Sequence, residues 1–307
     1  MHEENEEIDI HARGLRKRYG RDTALDGIDL NVPRGSVVLL VGPNGAGKTT
    51  LLKLLMDLLP SDGGELQVLG RTPESDGARI RAGTGFLAEK GEFPFGRLKV
   101  RQVLAFHARF HPRWDAAYAE QLARALDLRM DRAWKKLSKG ESRRAQIVTA
   151  LAHRPPLLLL DEPTDGLDPL IREKVLSLLA EHLAETGATT LYCTHVLHEA
   201  QAMADHLLVL RSGTVRLDDR VESLRTTHLR VRLGPDPVGQ ETPSAPVRPP
   251  FLIREEGRED QRRRWIVNAS EAELRDWATG AGLQVEHTER ISVADIALAY
   301  LTDGDTP

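Results

Sequence analysis

Between Gly42 and Thr49 the chain reads Gly-Pro-Asn-Gly-Ala-Gly-Lys-Thr, a spacing of glycines, one lysine and one hydroxyl that suits a polyphosphate. Glycines let successive backbone N–H groups turn toward phosphate oxygens, the lysine adds a point charge at the outer phosphates, and the threonine hydroxyl can ligate Mg²⁺. The pattern G-x-x-x-x-G-K-[ST] carries weight only where a strand precedes it and a helix follows. Here Ser36 to Val41 is an unbroken apolar run of strand length, and Leu51, Leu54, Leu55 and Leu58 recur at helical spacing until Pro60. A glycine-rich turn that binds nothing is the bland alternative, and the flanking elements argue against it. The phosphate-binding set is then Gly42, Asn44, Gly45, Gly47, Lys48, Thr49 and Thr50.

A second group follows the apolar run Leu157–Leu160, where Asp161 and Glu162 place two carboxylates at the C-terminal end of a buried strand. Open α/β sheets bind their ligands along that edge. Alone, such a pair is more often a solvated strand end. Behind a phosphate loop, Asp161 suits Mg²⁺ and Glu162 suits polarising an attacking water.

The elements that must position these groups are legible in outline. Residues 8–32 alternate apolar and polar in the manner of a small antiparallel sheet, and the pattern from about Arg97 to His153 is helical throughout. A helix around 169–186, a strand at 189–194 and a hairpin over 207–217 turning at Ser212-Gly213 complete a mainly parallel α/β core. Composition changes after Leu224. Six of the chain's 17 prolines lie between Gly234 and Pro250, which predicts a stiff, extended loop. Around it stand alternating Leu229, Val231 and Leu233, a charge-dense turn over Arg254–Arg264, the strand-like RWIVN, a helix opened by the capping box Ser270-x-x-Glu273, a strand at 283–288 and a helix at 292–301.

Length and charge bound the function. A chain of 307 residues has room for about two domains. With 42 Lys+Arg against 46 Asp+Glu, the net charge of -4 weakens any nucleic-acid-wrapping role. No apolar run approaches the roughly 18 residues needed to cross a bilayer, and the N-terminus, MHEENEEIDI, is acidic where a secretory signal begins positive. The expectation is a chain that neither spans a membrane nor is exported. Cys193, the one cysteine, sits in an apolar strand as inert packing, and the histidines show no metal-ligand spacing.

Over roughly residues 8–225 the chain resembles the nucleotide-binding subunit of ABC transporters, through several motifs in family order. Leu137-Ser138-Lys139-Gly140-Glu141 looks like the signature, Gly166-Leu167-Asp168-Pro169 like the D-loop, and His195 like the switch histidine. Tyr19 stands where the family places an aromatic on adenine, with a surface aromatic as the competing reading. The resemblance implies a P-loop NTPase of the ABC ATPase kind: an α/β core with an antiparallel β subdomain, a helical subdomain over about 97–155, and a small accessory α+β domain over 225–307 after a cassette of 1–224. It implies ATP and Mg²⁺, with Glu162, His195 and Glu89 catalytic and Thr49, Glu89 and Asp161 at the metal. It also implies a head-to-tail dimer, homodimer or heterodimer, in which Ser138 and Gly140 contact the ATP bound opposite, and it places Asp168 among the nucleotide-binding residues.

Three positions depart from the family pattern. Glu89 replaces the Q-loop glutamine and brings a negative charge near phosphate, and Lys139 and Glu141 replace the commoner glycine and glutamine of the signature. Solvent is the favoured destination for Lys139, and Arg143 and Arg144 read as a solvated helix face. Phe93, Phe95 and Arg97 lie in the segment the family uses to grip a membrane partner, with packing under the helices an equal alternative. The phrase HPRWD over 111–115, the LSKG form of the signature and the C-terminal appendage resemble ABC-2-type exporters. The implied role is a cytoplasmic ATPase, peripheral on the membrane's inner face, that powers export through a separate integral membrane permease, with no nucleic acid expected. The rival is a soluble ABC ATPase acting on ribosomes or nucleic acid. Relatives of that kind carry paired cassettes or a long coiled coil, whereas this chain has one cassette and no heptad run. A GTPase or small-molecule kinase lacks support, because there is no N-K-x-D motif.

Overall fold

The computed structural model describes residues 7–89, 96–234, 248–259 and 262–302. The chain divides into two compact units between Val215 and Arg216, where sequence composition changes only after Leu224.

The first unit opens with the strands β1 (Ile8–Tyr19) and β2 (Asp22–Pro33). Ile10, Ala12 and Leu15 of β1 face Ile28, Leu30 and Val32 of β2 in one buried layer. The phosphate-loop strand β3 (Val37–Val41) and helix α1 (Lys48–Leu55) follow, then β4 (Gly63–Val68), α2 (Pro73–Ala82) and β5 (Thr84–Leu87). These last three carry no strong sequence signal. Only Leu66 and Val68 of β4 are buried, α2 is polar with Pro73, Gly77 and Ile80 turned inward, and β5 has four residues. β4 pairs antiparallel with β1, giving the expected antiparallel sheet a third strand, in the order β2-β1-β4.

The helical stretch resolves into α3 (Val100–Ala108), α4 (Ala116–Ala125) and α5 (Lys139–Leu151), with a single 3₁₀ turn at Trp134–Lys136. It is not helical throughout, because capped breaks intervene. Asp115 accepts from the Tyr118 N–H to start α4, and Ser138 and Glu141 form a reciprocal capping box that starts α5. Tyr118 Oη lies 3.0 Å from His182 Nδ1, and the Arg154 guanidinium sits 4.2 Å above the Tyr118 ring. This polar contact fixes α4 against the long core helix that carries His182.

The core continues through β6 (Leu157–Asp161), α6 (Pro169–Thr186), β7 (Thr189–Cys193), α7 (Leu197–Ala200), β8 (His206–Arg211) and β9 (Thr214–Arg220). α6 begins with Asp168 as N-cap and Pro169 in its first turn, and ends on Gly187 at φ 62°, the left-handed geometry that suits glycine. The central sheet runs β5-β6-β7-β3-β8-β9. β3 pairs parallel with β7 and β8, and β6 parallel with β5 and β7. The strands are apolar on both faces, as a sheet covered by helices requires.

The second unit carries α8 (Val221–Thr227), β10 (His228–Leu233), β11 (Leu252–Glu259), β12 (Arg262–Asn268), α9 (Glu271–Gly280), β13 (Val285–Arg290) and α10 (Val293–Leu301). Its antiparallel sheet runs β11-β12-β10-β13 around Val231, Leu233, Trp265, Val267 and Leu274. The α+β character matches the sequence, and Ser270 and Glu273 form the expected capping box. The charge-dense stretch expected as a turn over Arg254–Arg264 is instead strand, and residues 260–261 lie outside the described residues. Residues 254–259 lie in β11 and residues 262–264 in β12, where Arg263 is buried on the face that carries Trp265. Most of the proline-rich stretch, at 235–247, lies outside the described residues. No helix among the described residues is long and apolar enough to cross a membrane.

Candidate functional site

Strand order sets the site. Because β7 lies between β3 and β6, and β5 beyond β6, all with parallel direction, their C-terminal ends open on one edge of the sheet. The phosphate loop leaves β3, Asp161 ends β6, His195 follows β7 and Glu89 follows β5. They line one cleft of about 780 Å³ together with Ala24, Asp165 and the loop from Gly42 to Thr50.

The loop is held by its own geometry. Gly47 has φ 108°, and a Cβ there would stand 2.6 Å from the Ala24 carbonyl oxygen and from Leu25 Cδ2, so only glycine fits. It caps α1, whose first-turn N–H groups have no partner within the helix and give the cleft a positive end. Lys48 is buried and donates from Nζ to the carbonyls of Gly42 at 2.6 Å and Pro43 at 3.2 Å, which curls its ammonium over the loop.

Beside it, Thr49 Oγ1 donates to Asp161 Oδ2 at 2.7 Å. Burial pushes the Asp161 carboxyl up from its ordinary value, against the Thr49 hydrogen bond, and the carboxylates of Glu89 and Glu162 add to the rise. A hydroxyl next to a buried carboxylate is a set of hard oxygen donors whose charge a divalent cation would offset.

Glu162 sits in the left-handed region at φ 49°, a conformation that costs a side chain about 1–2 kcal/mol. Its N–H donates to the Cys193 carbonyl at 2.9 Å, and its carbonyl accepts from the Asp165 N–H at 3.1 Å, so both neighbours hold the turn. The turn aims the carboxylate into the cleft, where Oε1 lies 2.9 Å from His195 Nδ1. The segment after His195 is tied back by Glu199, which accepts from Thr164 Oγ1 at 2.8 Å and Arg172 Nη1 at 2.6 Å.

Other expected residues stand elsewhere. Tyr19 is half-exposed at the end of β1 and does not line the cleft; the Lys17 ammonium lies 5.9 Å from its ring centroid. Ser138 and Gly140 sit at the start of α5 and Asp168 caps α6, all outside the cleft of their own chain. Glu141, a departure from the signature pattern, binds the Ser138 N–H at 2.8 Å and Arg132 at 3.0 Å. Phe93 and Phe95 lie outside the described residues. Cys193 is buried, and burial pushes its thiol well up, as inert packing requires.

Arg143 and Arg144 correct the sequence reading of a solvated face. Arg143 is 3% exposed and donates to the carbonyls of Ala88 at 2.8 Å and Glu89 at 2.7 Å, while Arg144 donates to the Leu126 carbonyl at 2.5 Å. Burial lowers the Arg143 guanidinium against the pull of Asp165, Asp161, Glu162 and Glu89. Lys139 is mostly exposed, as favoured, but its ammonium is paired with Asp165 at 2.7 Å. Sequence reasoning missed Arg143 and Asp165. Asp165 could have been found from its place between Glu162 and the D-loop glycine, whereas nothing local marks Arg143 as buried.

The geometry agrees with the comparisons to known proteins. A family model described as ABC transporter matches residues 25–165. The aliphatic sulfonates import ATP-binding protein SsuB 1 of Nocardia farcinica is 36% identical over 77% of this chain and 91% of its own length. The daunorubicin/doxorubicin resistance ATP-binding protein DrrA of Streptomyces peucetius is 37% identical over 73% of this chain and 70% of its own. Among solved structures, an ATP-binding subunit of an ABC transporter superposes with a TM-score of 0.65 at 27% identity, over 70% of this chain and 91% of that one. A dimeric bacterial ABC transporter cassette, MJ0796, gives 0.59 at 25% identity, over 69% and 98%. With a phosphate loop, an acidic strand end and a histidine brought to one sheet edge, and relatives of this length and identity, the chain belongs to the ABC transporter ATP-binding family and is an ATP-hydrolysing transporter subunit.

Proposed function

We propose that this chain drives an exporter. It pairs around ATP with a second copy or a related subunit, and acts from the cytoplasmic face on a separate integral membrane permease. The observation that carries the reading is the junction of Lys48, the Thr49–Asp161 pair and the Glu162–His195 pair in one cleft. Lys48 and the loop N–H groups of Gly42, Asn44, Gly45, Gly47 and Thr50 hold the phosphates. Thr49, Asp161 and Glu89 would hold Mg²⁺, which would supply positive charge to offset that of the phosphates. Glu162 orients and polarises the attacking water, and His195 holds the carboxylate in place while facing the outer phosphate. Tyr19, half-exposed outside the phosphate cleft, is available to stack on an adenine that extends beyond it.

Ser138, Gly140 and Asp168 have no part in their own cleft, which fits a role toward ATP bound by a partner cassette. The Ser138 hydroxyl already accepts from the Glu141 N–H at 3.1 Å, leaving its O–H to donate to a phosphate oxygen. The exposed pair Phe106 and Phe110 at the end of α3, with ring centroids 4.9 Å apart, supports a permease contact on the helical subdomain. The relatives named for import and for drug resistance are similarly identical, so outward direction rests on HPRWD, the LSKG signature and the C-terminal unit.

The experiment is to purify the tagged Glu162→Gln chain from its own cells in detergent with Mg-ATP and identify its companions by mass spectrometry. This variant should retain ATP, lose hydrolysis by at least about a hundredfold and stay dimeric, because the glutamine cannot accept the water's proton. A stoichiometric multi-span membrane protein is the expected companion. Recovery with ribosomes or nucleic acid and no membrane protein would overturn the reading.

A further inference from the structure

We propose that Lys139 is a positioning residue that couples the two ATP sites: its ion pair with Asp165 ties the signature, which completes a partner's site, to the loop carrying this chain's own Glu162. The inference rests on the paired-cassette reading above.

The first turn of α5 is seated on the Asp165–Gly166 turn. Lys139 Nζ donates to Asp165 Oδ2 at 2.7 Å. The lysine methylenes cover Gly166, where a Cβ would stand 2.9 Å from Lys139 Cδ, and a Cβ on Gly140 would stand 3.1 Å from the Gly166 carbonyl oxygen. Glycine at both positions lets the start of α5 pack closely on the turn. One helical turn on, Arg143 grips the backbone of Ala88 and Glu89. The same face of α5 therefore touches two of the loops that line its own cleft.

Asp165 is a short step from the chemistry. Its N–H donates to the Glu162 carbonyl within one turn, and its side chain lines the cleft beside Glu162 and His195. A shift of that turn when ATP enters is passed through Lys139 to Ser138 and Gly140, the groups offered to the partner's ATP. The choice of lysine also needs this partner. Lys139 opens the helix, where the helix dipole opposes a positive charge, so a lysine facing only water would weaken α5. Asp165 offsets that cost, and the Lys139 hydrogen bond in turn holds the Asp165 carboxyl below its ordinary value.

The side chains are 67% and 35% exposed, so the pair is worth little to folding and its removal should leave a folded chain. The test uses the full chain and compares wild type, Lys139→Met, which keeps the methylenes over Gly166, and Lys139→Arg, which keeps the charge. Wild type should hydrolyse ATP with a Hill coefficient above 1. Lys139→Met should bring that coefficient toward 1 and, in the Glu162→Gln background, raise the ATP concentration for half-dimerisation about two- to fivefold. Its melting temperature and its monomer's affinity for a fluorescent ATP analogue should not change, and Lys139→Arg should restore cooperativity. A Lys139→Met chain with wild-type cooperativity and dimerisation would overturn the proposal, as would equal losses in the Met and Arg variants. A wild type that binds ATP but never dimerises would remove the paired-cassette reading itself and the coupling with it.

Discussion

Lys48 does two jobs at the residue scale, and they separate by measurement. Its ammonium closes the loop by donating to Gly42 and Pro43, and it presents charge to the phosphates. Lys48→Ala removes a charge-assisted contact worth about 2–3 kcal/mol, so ATP affinity should fall roughly 30- to 150-fold by titration calorimetry. Unchanged affinity would mean that the loop N–H groups suffice. Glu162 shows how a residue is bent to its task. Its left-handed backbone is sustained by Cys193 and Asp165, and the same turn that strains it delivers the carboxylate to His195.

α5 is the informative case at the scale of elements. Its N-terminal signature was legible through the family resemblance, and the structure adds that Ser138 and Glu141 cap the helix reciprocally. Its basic pair was not, since two adjacent arginines on a helix normally face water and only packing decides otherwise. Arg143 fixes the backbone before the Glu89 side chain enters the cleft. Arg143→Leu should therefore lower kcat for ATP hydrolysis by about tenfold, close to 1.4 kcal/mol of lost positioning, with ATP affinity within twofold of wild type. An unaltered kcat would reduce this contact to packing. β4, α2 and β5 escaped the sequence for the opposite reason. They are short or polar, and their stability comes from pairing with β1 and β6 rather than from any local pattern.

For the whole molecule, buried histidines set a pH response. Burial pushes His153 and His182 down to about 4. Both are bases whose folded value lies below the unfolded 6.5, so the unfolded chain binds the extra protons first. Their contribution is complete above about pH 6.5 and is lost as pH falls toward 4. Urea midpoints should stay level from pH 8 to 7 and drop below 6.5, on the order of 2 kcal/mol per histidine by pH 4.5. His182→Gln should flatten that drop, and an unchanged slope would place the acid sensitivity elsewhere. Since His182 meets Tyr118, the loss should be accompanied by loosening of α4 from α6.

The sequence by itself determined the chemistry. The phosphate loop and the acid pair after a buried strand are local patterns, each needing only its neighbours to fold as strand, turn or helix, whereas the signature and the switch histidine were legible through the family resemblance. The antiparallel subdomain and the α+β appendage, with its helix capped by Ser270 and Glu273, were likewise written in periodicity and caps. Only the tertiary structure decided the order β5-β6-β7-β3, which inserts the His195 strand between the two phosphate-site strands and so makes one cleft from four separate segments. It also decided that Arg143 is buried, that Lys139 answers Asp165, and that Tyr19 stands outside the cleft. Strand order and long-range ion pairs are contacts between residues distant in the chain, and a pattern of period 2 or 3.6 says which face is apolar but not what that face will meet.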